Sequence, residues 1–336
     1  MNRARVRMRL IAGVLVIVPF GAVAVLWLGA SASLDRQTKH QAVTERLPRY
    51  EHQREGLVRI ATSGQEFRAR VAGIGNGHGH GNVIMLHGLF QTSAMWQPLL
   101  QAVSAAGYRA VAFDQRGYSP GARPAPVEAY DLPALAADVS TIAKTLGFDS
   151  YHLIGQGWGA HVGWHLLQTG AEDIQTFTTL AQPHPRALEA AWQTDSEPAY
   201  QTYLRLPWLP RQVLAFDDFD VLRRTMWSQE HPAHTKEYAA VLAEPGALTA
   251  ALAWLKNHAP TMPAPSADRA PPPVLLVWGN RDPYLAPSVL ALHRSLTPHG
   301  AELELDAEQL PLATHTPLVT AALLRHLAAG RDRQAN

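Results

Sequence analysis

The stretch Gly155-Gln156-Gly157-Trp158-Gly159 follows the apolar run Tyr151-His152-Leu153-Ile154. An apolar strand that breaks into G-x-X-x-G and then a helix is the pattern of a nucleophile elbow. The outer glycines permit a tight strand-to-helix turn, and the middle residue is thrust above the sheet. That middle residue ordinarily carries the attacking group. In this chain it is Gly157, which has no side chain. The frame of a catalytic turn is present without its nucleophile.

Working outward, Val83-Ile84-Met85-Leu86, Ala110-Val111-Ala112-Phe113 and Val274-Leu275-Leu276-Val277-Trp278 are continuous apolar runs of the length of buried strands. Thr176 to Ala181 reads as a further strand. Asp131 to Leu146 is an amphipathic helix with Leu132, Leu135, Ala136, Val139, Ile142 and Leu146 on one face. Val58 to Ala61 and Phe67 to Val71 alternate apolar with polar residues and read as an opening hairpin. A last strand near Glu302 to Leu305 and a helix over Leu318 to Ala328 close the pattern. Alternating strands and helices imply a mostly parallel sheet with helices on both faces. Between Gln182 and about Met262 the alternation stops, and an aromatic-rich helical insert, placed at about 183–262, is expected as a lid. The Pro/Ala-rich run Pro260 to Pro273 leads back to the sheet.

The 336 residues suit one large domain, and 47% hydrophobic content supports a sizeable core. A formal charge of +1 gives no reason to expect nucleic acid. The chain contains no cysteine, which excludes disulfides, thiolate metal sites and a cysteine nucleophile. His161 and His165, four apart, share one helix face at a spacing legal for metal ligands. Without further ligands nearby they are expected to be buried or solvated instead. His78 and His80 sit in a glycine-rich turn. No metal and no cofactor is expected.

Arg3, Arg5, Arg7 and Arg9 precede a stretch from Leu10 to Leu34 that holds no charged residue. As a helix, Leu10 to Gly29 alone would span about 30 Å, the thickness of a bilayer core. The basic flank should remain cytoplasmic and the rest of the chain outside. Residues 1–32 are therefore read as an uncleaved anchor with the domain on the extracytoplasmic side. The alternative is a cleaved signal and a secreted chain, because Ala30-Ser31-Ala32 resembles a signal-peptidase site. Residues 33–55 read as a tether and 56–330 as the folded domain.

Three stretches carry a family resemblance: Asp114-Gln115-Arg116-Gly117-Tyr118-Ser119-Pro120-Gly121-Ala122-Arg123-Pro124, the elbow with Trp158-Gly159-Ala160, and Gln182-Pro183-His184-Pro185. In this order they resemble the α/β-hydrolase superfamily, and within it the epoxide hydrolase group, over about Gly56 to Ala329. The resemblance implies an α/β-hydrolase fold with a helical lid. It also implies a mechanism in which an aspartate opens an epoxide to an ester and a His–acid pair activates water to hydrolyse it. Lid tyrosines bind the epoxide oxygen, and backbone N–H groups hold the oxyanion.

Carried over residue by residue, the implied machinery is incomplete. Gly157 stands at the nucleophile position and Gln156 at the histidine before it. Asp282 matches the acid. Counting back from Pro317 places Leu310 where the histidine belongs, and His315 is the one nearby imidazole that a loop shift could bring to Asp282. Tyr200 matches the first lid tyrosine, and Leu255 replaces the second. Leu89, Phe90 and Trp158 match the oxyanion loop and pocket, with Phe90 in place of the family's proline. Three readings follow: a non-hydrolysing protein that binds a small apolar molecule or a partner, a non-covalent acid–base enzyme using Asp282 and His315, or a purely structural membrane protein.

Overall fold

The computed structural model describes residues 24–31, 44–75, 79–195, 199–257 and 271–334. Eight strands form one sheet in the order β1-β2-β4-β3-β5-β6-β7-β8. The hairpin of β1 (Gly56–Ala61) and β2 (Glu66–Ala72) is antiparallel, with Val58 opposite Ala69 and Ile60 opposite Phe67. Strand β2 also runs antiparallel to β4 (Arg109–Phe113). From there β3 (Asn82–Leu86), β5 (Tyr151–Gln156), β6 (Ile174–Leu180), β7 (Val274–Gly279) and β8 (Ala301–Leu305) are all parallel. The central strands β3, β5 and β7 are buried along their whole length, which is why they read as unbroken apolar runs.

Crossover helices α1 (Gln97–Ala105), α2 (Leu132–Thr145) and α3 (Trp158–Gln168) cover the faces of the sheet. Asp131 caps α2 by accepting from the Ala134 N–H at 2.8 Å. After β6 the chain leaves the sheet, and among the described residues six helices follow: α4 (Pro185–Asp195), α5 (Ala199–Leu204), α6 (Leu209–Ala215), α7 (Asp220–Arg224), α8 (Pro232–Leu242) and α9 (Ala247–Lys256). This is the expected helical insert, and it lies over the strands' C-terminal edge. Helix α10 (Pro287–Leu296) follows β7, and α11 (Pro311–Thr314) and α12 (Thr316–Gln334) follow β8.

A buried ion network ties the insert to the sheet. Arg68 on β2 reaches Asp114 at 2.5 Å and Glu244, between α8 and α9, at 2.8 Å. Arg123 reaches the other oxygen of Glu244 at 2.8 Å. Arg68 Nη1 also donates to Thr44 Oγ1 at 2.6 Å. Residues 44–55, read from the sequence as a tether, are built into the domain: Arg49 pairs with Arg59, and Tyr50 donates to the Thr145 carbonyl at 2.8 Å.

Of the apolar run Leu10 to Gly29, only residues from 24 onward lie within the described segments, as a helix over 24–31. Among the described residues no single helix is long and apolar enough to cross a membrane. His78 lies outside the described residues, and His80 Nδ1 lies 2.8 Å from the Ala106 carbonyl.

Candidate active site

Gly157 joins β5 to α3 with φ 49° and ψ −113°, in the left-handed half of backbone space that disfavours side chains. The two outer glycines have no alternative. A Cβ on Gly155 would stand 2.4 Å from the Ala160 backbone, and one on Gly159 would stand 2.2 Å from the Leu86 carbonyl. At Gly157 a Cβ would meet no atom within 4 Å. The turn keeps the geometry of a nucleophile elbow, and the space above it is open.

That space belongs to a cavity with about 100 Å³ available to the centres of water-sized spheres. Gly157, Trp158 and Leu89 form its floor, with Gln156 and His161 beside them. The lid contributes Glu189, Trp192, Tyr200, Gln201, Met226 and Trp227, and the loops after β7 and β8 contribute Tyr284, Leu285, Gln309 and Leu310. The lining is mostly apolar, with amide, imidazole, carboxylate and phenol groups set into it.

Asp282 stands just beyond β7. Its Oδ1 accepts from the Tyr284 N–H at 3.0 Å. Its Oδ2 is buried with no hydrogen-bond partner. Burial, with a smaller contribution from the Glu308 charge, pushes this carboxyl up to about 6. Asp282 is 6% exposed and does not line the cavity.

Leu310 does line the cavity, next to the backbone that receives the Gln156 amide at 3.2 Å on the Gln309 carbonyl. His315, the one nearby imidazole that a loop shift could have brought to Asp282, does not pair with it. Pro311 starts the helical turn α11, and this turn carries His315 past the cavity to the first turn of α12. There its carbonyl accepts from the Val319 N–H, and its Nδ1 sits 2.9 Å from Thr314 Oγ1. Leu310, the position reached by counting back from Pro317, is the one of the two that stands at the cavity wall.

Tyr200 reaches the cavity, and its ring meets that of Tyr284 edge-on with centroids 5.4 Å apart. The Gln201 amide donates to the Tyr200 hydroxyl at 3.3 Å. Leu255 does not reach the cavity. It is 1% exposed within the main hydrophobic core, while its carbonyl accepts from Arg205 at 3.2 Å. The second phenol near Tyr200 comes from the core loop, not from the lid.

Phe90 also departs from expectation. It has φ 60°, its side chain is fully buried away from the cavity, and its N–H donates to the Tyr118 hydroxyl at 2.8 Å. Gly88 and Leu89 of the oxyanion loop, with Trp158 of the elbow, stand at the cavity wall. His87, which opens that loop, accepts from the Gln115 N–H at 3.0 Å. Burial lowers its pKa to about 4, so it is neutral and structural.

His161 and His165 are both buried, and only His161 faces the cavity. Among the described residues no group of three His, Asp or Glu side chains is placed to hold a metal ion. His161 stands out in the sequence by its spacing from His165, but its place in the cavity does not, and neither Glu189 nor Tyr284 belongs to a recognisable motif. Tyr284 follows Asp282 by two residues, so a sharper reading of that loop would have included it. Glu189 sits on a helix whose sequence gives no sign of which side meets the sheet.

Comparison with known proteins agrees with this geometry. The alpha/beta hydrolase fold family matches residues 81–310. The chain is 27% identical over 216 residues to AB hydrolase superfamily protein YfhM of Bacillus subtilis, covering 61% of this chain and 74% of that protein. It is 27% identical over 242 residues to Epoxide hydrolase 4 of Mus musculus, covering 68% of this chain and 66% of that one. An epoxide hydrolase from Bacillus megaterium, solved with an inhibitor, superposes with TM-score 0.71 at 21% identity, covering 80% of this chain and 99% of that one. Elbow, sheet order and lid insert therefore have one explanation: the chain belongs to the α/β-hydrolase fold family, and epoxide hydrolases are among the members it resembles.

Proposed function

We propose that this chain is a ligand-binding α/β-hydrolase in which the covalent route of hydrolysis is closed. One observation carries the reading: the elbow is intact around Gly157, and nothing occupies the place of the attacking group. Leu310 at the cavity wall and the unpartnered Oδ2 of Asp282 support it, since activation of water by a His–acid pair needs an imidazole between them. The cavity has the composition of a site for a small, largely apolar molecule with a few hydrogen-bonding groups. The domain is held at the membrane by the apolar run Leu10 to Gly29, on the extracytoplasmic side.

A second reading is favoured by one specific feature. His161 and Glu189 both line the cavity, so a non-covalent acid–base enzyme would use them and not Asp282, which lies outside the lining.

The full-length chain incubated with styrene oxide should keep its intact mass and release no diol above the buffer rate. Styrene oxide and its diol should both raise the thermal midpoint. Diol release that His161→Ala abolishes would replace this reading with the second. A mass increase mapping to residues 155–159 would reject both.

A further inference from the structure

Nine large hydrophobic side chains are prominently exposed among the described residues, and seven of them fall in two short segments. Val25, Trp27 and Leu28 lie on the helix at 24–31, and Leu206, Trp208, Phe216 and Val221 lie on the lid between α5 and α7. The two segments touch. Gly29 packs on the Phe216 ring so closely that a Cβ there would stand 2.6 Å from it, and the neighbouring Ala30 is fully buried.

The lid backbone holds this face in place. Trp208, Asp217, Asp218 and Phe219 all have φ between 33° and 63°, a conformation that non-glycine residues adopt only when surroundings enforce it. At the 216–219 turn it sends Phe219 inward, fully buried beside Trp227, and leaves Phe216 outside. Asp217 is exposed beside Phe216, and two nearby arginines are paired on the protein, Arg223 with Asp218 at 2.9 Å and Arg224 with Asp220 at 2.7 Å. The approach of these pairs to a low-dielectric medium is correspondingly less costly.

We infer that the outer face of the lid, Leu206, Trp208, Phe216 and Val221, docks on the lipid bilayer beside the N-terminal helix, so that the cavity takes its ligand from the membrane phase. The occupant is argued from continuity. The helix at 24–31 is the end of an uncharged run that begins at Leu10, and the lid patch is joined to that end through Gly29 and Phe216. Trp27 and Trp208 are suited to the membrane–water boundary, where an amphipathic indole is most stable. An isolated exposed apolar side chain is ordinary, but a strained aromatic patch continuous with an apolar helix is not. The same lid segments turn Tyr200, Gln201, Met226 and Trp227 toward the cavity. One layer of protein thus separates the lipid-facing surface from the site. The inference rests on the ligand-binding reading and names the ligand class: apolar molecules dissolved in the bilayer.

The chain has no cysteine, so single cysteines can be introduced and spin-labelled without background. Full-length Trp208→Cys and Phe216→Cys are reconstituted in phosphatidylcholine–phosphatidylglycerol vesicles. Asp149→Cys, exposed at the opposite edge of the sheet, is the control. Labels at 208 and 216 should show oxygen accessibility several-fold above that of the control and low accessibility to a water-soluble nickel complex. Labels as aqueous as the control, in a chain that stays with the vesicles, would overturn docking and leave the cavity reading standing. Spin–spin broadening at high lipid dilution would show that a second copy covers the face, which also overturns it. Loss of the chain from the vesicles on carbonate washing, with labels lipid-exposed beforehand, would reject the anchor but support docking.

Discussion

Asp114 and Asp282 are both buried carboxylates just beyond the C-terminal ends of parallel strands, and their surroundings are opposite. Burial alone would raise the Asp114 carboxyl, but Arg68, with His87 and Arg70 farther off, holds it well below the usual range. Its oxygens receive Arg68 at 2.5 Å and the Ser93 N–H at 2.7 Å. Asp282 has burial without the cation, and its carboxyl is raised. Asp114 ties the sheet, through Arg68 and Glu244, to the lid, and is part of the fold. Asp282 matches, by the family resemblance, the acid of a His–acid pair, and Leu310 stands at the cavity wall where that resemblance implies the histidine. The groups that hold the structure are complete, and the groups that would react are not.

Breaking the complete network should give the largest effect. Arg68→Met leaves Asp114 and one oxygen of Glu244 buried without a counter-charge, which costs about 3–5 kcal/mol. Denaturant unfolding at pH 7 should show this loss, and the lid should become the first region to exchange its amide hydrogens. A loss below about 1 kcal/mol would mean that the carboxylates are hydrated in solution and that the contrast with Asp282 is false.

The incomplete site should respond in the opposite direction. A carboxyl whose folded pKa is raised contributes stability that is fully present below its unfolded value and is lost as pH rises through the folded one. For Asp282 that window runs from about 4 to about 6. Asp282→Asn should therefore stabilise the protein at pH 8, by about 2 kcal/mol, and have little effect at pH 4. The buried histidines pull the other way. Burial lowers His87, His152, His184 and His293 to about 4, so their contribution is lost as pH falls from about 6.5 toward 4. The wild-type chain should weaken on acidification, and Asp282→Asn should make that decline steeper. An Asn variant no more stable than wild type at pH 8 would show that Asp282 has a partner in solution.

The contrast also explains what was legible in the sequence. The strands could be read because β3, β5 and β7 are buried on both faces and therefore mostly apolar, with Asn82, His152 and Gln156 the polar exceptions in β3 and β5. The elbow could be read because Gly155 and Gly159 are sterically forced. The motif around Asp114 to Arg123 pointed to the family, and its charged ends turn out to serve the clamp on Glu244: Arg123 holds one oxygen, and Asp114 pairs with the Arg68 that holds the other. Less of the site was legible. Helix α9 is buried at Trp254 and Leu255 alike, so its sequence does not tell which side faces the cavity. Tyr284 belongs to a loop, where no periodicity assigns direction. The histidine question turned on whether residues 311–314 run extended or coil. Four residues beginning with proline are too few to decide that by pattern.

The smallest effect is expected from returning an imidazole, and it tests the register most directly. Leu310→His places a ring at the cavity wall, where the family pattern implies contact with Asp282. If the introduced ring meets the orphaned Oδ2, the carboxylate becomes favourable and the Asp282 pKa should fall from about 6 toward the ordinary range. The imidazole pKa should rise above its usual 6.5 or so for the same reason. Its contribution would then be fully present below that value and lost as pH rises through the raised one. Losing a half-buried leucine costs stability, and the new pair recovers only part of it, so the net change near pH 6 should be about 1 kcal/mol. The measurement is NMR titration of the new imidazole with and without Asp282→Asn. A pKa that drops by about a unit or more in the double variant establishes the contact. No change would mean that residue 310 does not face Asp282, and then neither Leu310 nor His315 inherits the histidine's place. Even with the pair restored, Gly157 still offers no attacking group, so styrene oxide should remain unhydrolysed and unattached to the elbow.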